Sequence, residues 1–276
     1  MIGSPLRPRA RAPLRLLAAL LLALWAAPAL AADPQPVVMV LGYNYPPFFT
    51  SERGDPATLH GLFIDFLDAF EQAHPEFTIQ RVMLPRRRKD LWMRTGQAQV
   101  CALNAPEFVV PEDRPLYRFT EPLWVTGDHL VVLASRRAEL PDEPSLHGRR
   151  VGLMLGYGYS EYEKVIDRGL VEPVLLSRTS CQLRMLQAGR VDAIVANRHV
   201  LPCFLEQAGM TKRDIVFIEP PLYEFGLAMQ VSRDQPALYE ALNSFIREAR
   251  QRGLLPAPES AHVPAAAEPP PGAAGP

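Results

Sequence analysis

Cysteine is scarce in this chain: three residues, Cys101, Cys181 and Cys203, among 276. None of them is spaced with histidine as a zinc site requires, so neither a structural metal nor any other cofactor is expected. Acidic residues are absent from the first 32 positions, where Arg7, Arg9, Arg11 and Arg15 are the only charged side chains. A surplus of positive charge is also missing. Without those four arginines the chain carries 25 Lys and Arg against 30 Asp and Glu, a net charge of about −5. Nucleic acid is thereby excluded as a partner, because it is met by strongly basic surfaces. Finally, no apolar run reaches the roughly 20 residues that span a bilayer.

What the N-terminus does have is a shorter apolar run, Leu16 to Ala27, followed by Pro28 and the small-residue sequence Ala29-Leu30-Ala31. A basic segment, a short apolar segment and an A-x-A site make a secretory signal peptide, residues 1–31, cut near Ala31. No cysteine follows until Cys101, so no lipid anchor is expected. A retained signal anchor is the alternative. At the other end, residues 255–276 alternate proline with alanine and glycine. Such a segment buries too little apolar surface to offset its ordering entropy, which predicts a disordered tail.

Between these ends the hydrophobic pattern alternates strand and helix. Val37 to Leu41, Thr78 to Val82 and Gln99 to Leu103 read as strands. Leu62, Phe63, Phe66, Leu67 and Phe70 recur at helical spacing, and Arg86 to Thr95 reads as a basic helix stopped by Gly96. The resulting β-α-β-α-β order predicts a parallel sheet. After a strong strand at 129–134 the alternation begins afresh. It runs through a strand at Arg150, helices from Ser160 and over 181–188, and a strand at 191–195. A helix over 199–207, strands at 215–218 and 222–231 and a last helix at 236–252 complete it. The reading is an α/β chain of two lobes.

Six segments carry a family resemblance. Tyr45-Pro46-Pro47-Phe48 and Gly61-Leu62-Phe63-Ile64-Asp65-Phe66 come first, then Phe119-Thr120-Glu121-Pro122-Leu123-Trp124. Leu146 to Gly152 with Gly156, Leu186 to Ala193, and the closing helix at Arg252-Gly253 follow in order. Together they resemble the type II periplasmic solute-binding proteins of the polar amino-acid family, over nearly all of 37–254. The resemblance implies two lobes joined by two hinge strands, with a ligand cleft between them. Lobe 1 is expected at 33–125 plus 223–254 and lobe 2 at 126–222. Cys181 and Cys203 would then share a lobe, as a disulfide pair or as buried thiols.

The same resemblance implies a non-enzymatic, monomeric periplasmic receptor that captures a small polar ligand, an amino acid or an organic anion, for an inner-membrane ABC permease. A free-standing sensor module and a cyclohexadienyl-dehydratase-like enzyme are the alternatives. Candidate ligand contacts are Tyr45, as a wall after the first strand, Asn104 at a strand end, and Trp124 near the hinge. The turn Gly156-Tyr157-Gly158-Tyr159 leads into a helix and reads as an anion cradle. Arg114 stands in the stretch where family members clamp a ligand carboxylate with arginine, one residue closer to Phe119 than usual. Arg178 precedes a helix that Ser180 is expected to cap. Asn197 occupies the place where amino-acid binders carry an aspartate for the ligand ammonium. An amide cannot offset a desolvated cation as a carboxylate does, which leaves Glu121 and Glu161 as substitutes.

Overall fold

The computed structural model describes residues 33–260, so the signal peptide and most of the proline-rich tail lie outside the described residues. Strand β1 (Gln35–Leu41) pairs in parallel with β2 (Phe77–Met83) and with β3 (Val100–Asn104). Between β1 and β2 runs α1 (Leu62–Ala73), and between β2 and β3 runs α2 (Arg86–Arg94). Helix α1 begins at Gly61, whose φ of 123° only glycine adopts readily. A Cβ there would lie 2.7 Å from the Phe48 carbonyl oxygen, so space as well as conformation demands glycine. The helix buries Phe63, Phe66 and Phe70, and the last two pack on Phe245 with ring centroids 5.3 and 5.6 Å apart. Each such side chain contributes about 1.5–3 kcal/mol by leaving water.

Two ten-residue strands then cross the molecule: β5 (Trp124–Leu133) and β10 (Tyr223–Ser232), with the short β4 (Tyr117–Phe119) before them. The first half of β10 lies antiparallel on β5, and its second half on β3 and β4. Beyond β5 the sheet continues through β8 (Ala193–Asn197), β6 (Arg150–Met154) and β7 (Glu172–Leu176), while β9 (Ile215–Phe217) also pairs with β5. Strands β6, β7 and β8 are again parallel. The order β2-β1-β3-β10-β5-β8-β6-β7 thus contains two parallel halves joined by antiparallel β10 and β5. Helices α3 (Glu163–Asp167) and α4 (Thr179–Gln187) serve the second half, and α5 (Pro236–Gln251) returns to pack on α1 in the first.

Several expectations change here. The helix expected over 199–207 is two 3-10 turns, Leu201–Phe204 and Glu206–Ala208. Pro202 in the first turn has no N–H to donate to an α-helical ladder. The three cysteines are free, and the Cys203 thiol points to the His199 carbonyl, 3.7 Å away, rather than to Cys181. The first part of the tail is ordered. Leu254 and Leu255 pack on the main core, the Trp124 indole N–H donates to the Pro256 carbonyl at 2.9 Å, and Glu259 reaches His199 at 3.3 Å. Composition underestimated these residues because it counts prolines and not the partners waiting for them. No helix among the described residues is long and apolar enough to cross a membrane.

Candidate functional site

The carboxyl ends of β1, β3, β6 and β8 converge on one cavity of about 420 Å³. That is where open α/β sheets bind ligands, and the volume suits a small molecule. Tyr43 and Tyr45 follow β1, and Leu103 and Asn104 end β3. Gly156, Tyr157, Gly158 and Tyr159 follow β6, and Asn197 ends β8. Phe108 and Phe225 add an apolar floor, with their rings edge to face at 4.9 Å. Leu103 carries a left-handed φ of 38°, a strained conformation of the kind that clusters at functional sites.

The carboxylate of this cavity is Asp128, on β5. Its Oδ1 accepts from the Asn197 amide at 3.1 Å and its Oδ2 from the Tyr223 hydroxyl at 2.9 Å. Asp128 and Asn197 are register partners on neighbouring strands. The Asn197 carbonyl in turn accepts from the Thr126 hydroxyl and the His199 N–H, so the amide is fixed in orientation. Burial pushes the Asp128 carboxyl up, against the two hydrogen bonds that favour its ionised form. Burial and the nearby Asp128 charge also push up the hydroxyls of Tyr45 and Tyr223. The aspartate missing at position 197 is therefore present one strand away. Asp128 is the one acidic residue of its strand, and that was the signal in the sequence.

Cations enter from α2. Pro85, Arg86, Arg87 and Lys89 all line the cavity. The Arg86 guanidinium lies 5.6 Å over the Tyr157 ring and donates to the Phe108 carbonyl at 3.1 Å. It thereby links the two halves of the sheet across the cavity. In the sequence this run read only as a basic helix, with no ligand role.

Of the ten expected contacts, seven line the cavity: Tyr45, Asn104, Gly156, Tyr157, Gly158, Tyr159 and Asn197. Asn104 is turned by a 2.7 Å hydrogen bond to the Gln230 side chain. Three do not line it. Arg114 opens a 3-10 turn and spends its Nε–H on the Val109 carbonyl at 2.9 Å. Trp124 is 6% exposed and packs on the buried Phe48, centroids 5.1 Å apart. Arg178 is itself the N-cap of α4, in extended backbone, while its neighbours Ser177 and Thr179 face the cavity. Side chains alternate sides along extended chain, so Arg178 falls on the other side. Ser180, expected to cap α4, lies inside that helix and is buried.

Part of the expected anion cradle in the turn after β6 is already engaged. The Tyr157 N–H bonds the Met154 carbonyl at 3.2 Å and the Tyr159 N–H bonds the Glu163 carboxylate at 3.0 Å, so these donors are already occupied. Glu121 and Glu161 do not replace the missing aspartate either. Glu121 holds Arg247 and Arg250, Glu161 holds Lys164, and neither lines the cavity. Among the described residues no group of three or more His, Cys, Asp or Glu is placed to hold a metal ion.

Known proteins can now be set beside this geometry. No protein-family profile matches the chain. The L-cystine-binding protein TcyJ of Escherichia coli (strain K12) is 22% identical over 219 residues, 78% of this chain and 77% of that protein. An amino acid ABC transporter substrate-binding protein, AbpA from Streptococcus pneumoniae, bound to L-arginine, superposes with a TM-score of 0.64 at 17% identity. The match covers 80% of this chain and 91% of that one. A histidine kinase sensor domain with similarity to periplasmic binding proteins superposes with a TM-score of 0.67 at 16% identity, covering 83% and 96%. Together these likenesses give the chain the two-lobed fold of the periplasmic binding proteins.

Proposed function

We propose that this protein is a periplasmic receptor that captures a small polar molecule, an amino acid or an organic anion, between two lobes for an ABC-type transporter. Lobe 1 is assigned to 33–125 plus 223–254 and lobe 2 to 126–222, with β5 and β10 as the hinge strands. The observation that carries the reading is the cavity at the strand ends, lined by the Asp128 carboxylate on one side and by the cationic turn of α2 on the other. A rigid carboxylate, polar amides and tyrosine walls bind and orient a small charged molecule. The signal peptide and the periplasmic address belong to the same reading.

A ligand that prefers the closed arrangement stabilises the protein by mass action, about 2.7 kcal/mol at a concentration 100 times its Kd. The test is a thermal-shift and calorimetric titration of the protein with the twenty amino acids, L-cystine, and short mono- and dicarboxylic acids. A clear upward shift with a member of either class is expected. No shift and no heat from any of them at millimolar concentration would remove the reading.

A further inference from the structure

Lys89 is 8% exposed and lines the cavity. Its ammonium makes no ion pair or hydrogen bond among the described residues, and it is not sealed from the cavity. A buried cation without a partner is costly, and proteins keep one where a partner arrives from outside. Its surroundings sharpen the case. Helix α2 opens at Pro85 with no side-chain cap, and its first backbone bonds come from Arg88 and Lys89 to the Pro85 carbonyl. The N–H groups of Arg86 and Arg87 lie in that uncapped turn, which faces the cavity. A helix N-terminus attracts anions and disfavours cations, yet four consecutive cations, Arg86 to Lys89, stand there with no acidic residue in the first turn. The sequence breaks a local rule, and a bound anion would repair it.

We infer that Lys89 and the first turn of α2 receive the carboxylate of a dipolar ligand whose cationic group is held by Asp128. This inference rests on the receptor reading above and assigns the poles of the ligand within it. Lys89 sits on α2, between β2 and β3, and Asp128 on β5, so a ligand carrying both charges ties the helix to that strand. The carboxylate receptor in this assignment is Lys89, with Arg87 at the rim, rather than Arg114, which does not line the cavity, or the turn after β6, where the Tyr157 and Tyr159 N–H groups are already bonded.

The experiment compares each amino acid that binds with its decarboxylated amine, beginning with L-arginine against agmatine and L-cystine against cystamine. Calorimetry is run on the wild-type protein, Lys89→Met, Lys89→Arg and Asp128→Asn, with matching melting curves as the control for folding. Wild type is expected to prefer the amino acid by about tenfold or more. Lys89→Met should bring that ratio close to one, Lys89→Arg should keep most of it, and Asp128→Asn should weaken acid and amine alike. Amino-acid binding in which Lys89→Met keeps the wild-type ratio overturns the inference and leaves the receptor reading standing. Binding of organic anions but of no amino acid does the same. Binding of neither class removes both.

Discussion

At the residue scale, Asp128 decides what the cavity attracts. Its carboxylate is held by Asn197 and Tyr223 and stands in a buried, tyrosine-lined setting. Burial raises its pKa above the ordinary 3.8, so the empty site takes up a proton at a higher pH than a free carboxylate would. A bound cation requires the ionised form. Affinity for a cationic group is therefore expected to fall as pH drops through the raised pKa, while still above 3.8. Titrations between pH 7 and 4 check this. Asp128→Asn should lower affinity for the amino group about 30-fold or more and flatten the pH profile. A wild-type profile as flat as that of the variant would remove Asp128 from the ligand. Asp128 and Asn197 share this end of the cavity because paired strands put the two side chains side by side.

At the element scale, the segment after α5 has more to do than its composition suggests. Leu254 and Leu255 are half-buried against the main core, and Pro256 accepts from the indole of Trp124, at the start of β5. Ending the chain at Gly253 is expected to cost about 2–3 kcal/mol, from two partly buried leucines and one hydrogen bond. Urea denaturation followed by tryptophan fluorescence measures this, and an unchanged midpoint would show the contacts to be incidental. The strands and α1 were legible because alternation and a 3–4 residue apolar period report directly on which face is buried. The region 199–207 was not. Apolar residues at Val200, Leu201, Phe204 and Leu205 imitate a helix, while Pro202 cuts the ladder into 3-10 turns.

At the scale of the whole molecule, two histidines couple stability to pH. His129 is 3% exposed and donates its Nδ1–H to the Ile218 carbonyl, and His199 lies half-buried beside Phe48. Burial lowers both pKa values below 6.5, with Glu259 partly opposing this at His199. The unfolded chain therefore takes up protons first as pH falls. Stability is complete above pH 6.5 and declines below it, by up to about 1.4 kcal/mol per pH unit for each histidine. Urea midpoints measured from pH 7.5 to 5.5 should fall, and His199→Gln should reduce the slope. Midpoints that do not move over this range would contradict the assignment.

The sequence by itself determined the alternation of elements, the two parallel halves, the crossing strands and seven of the residues that line the cavity. The elements follow from periodicity, and most of the lining residues from turns at strand ends and the rule that ligands gather at the carboxyl edge, while the crossing strands and Asn197 came from the family resemblance. Only the tertiary structure decided the charges. Lys89 and Asp128 look in sequence like one more member of a basic run and a lone acid in a strand. Their meaning depends on which buried cavity they enter and which partners they find there. Arg114 and Trp124 looked like contacts and are occupied elsewhere, by a carbonyl and by the core. Local pattern fixes where the backbone goes, but the pairing of a buried charge is a long-range property, set when distant segments close around it.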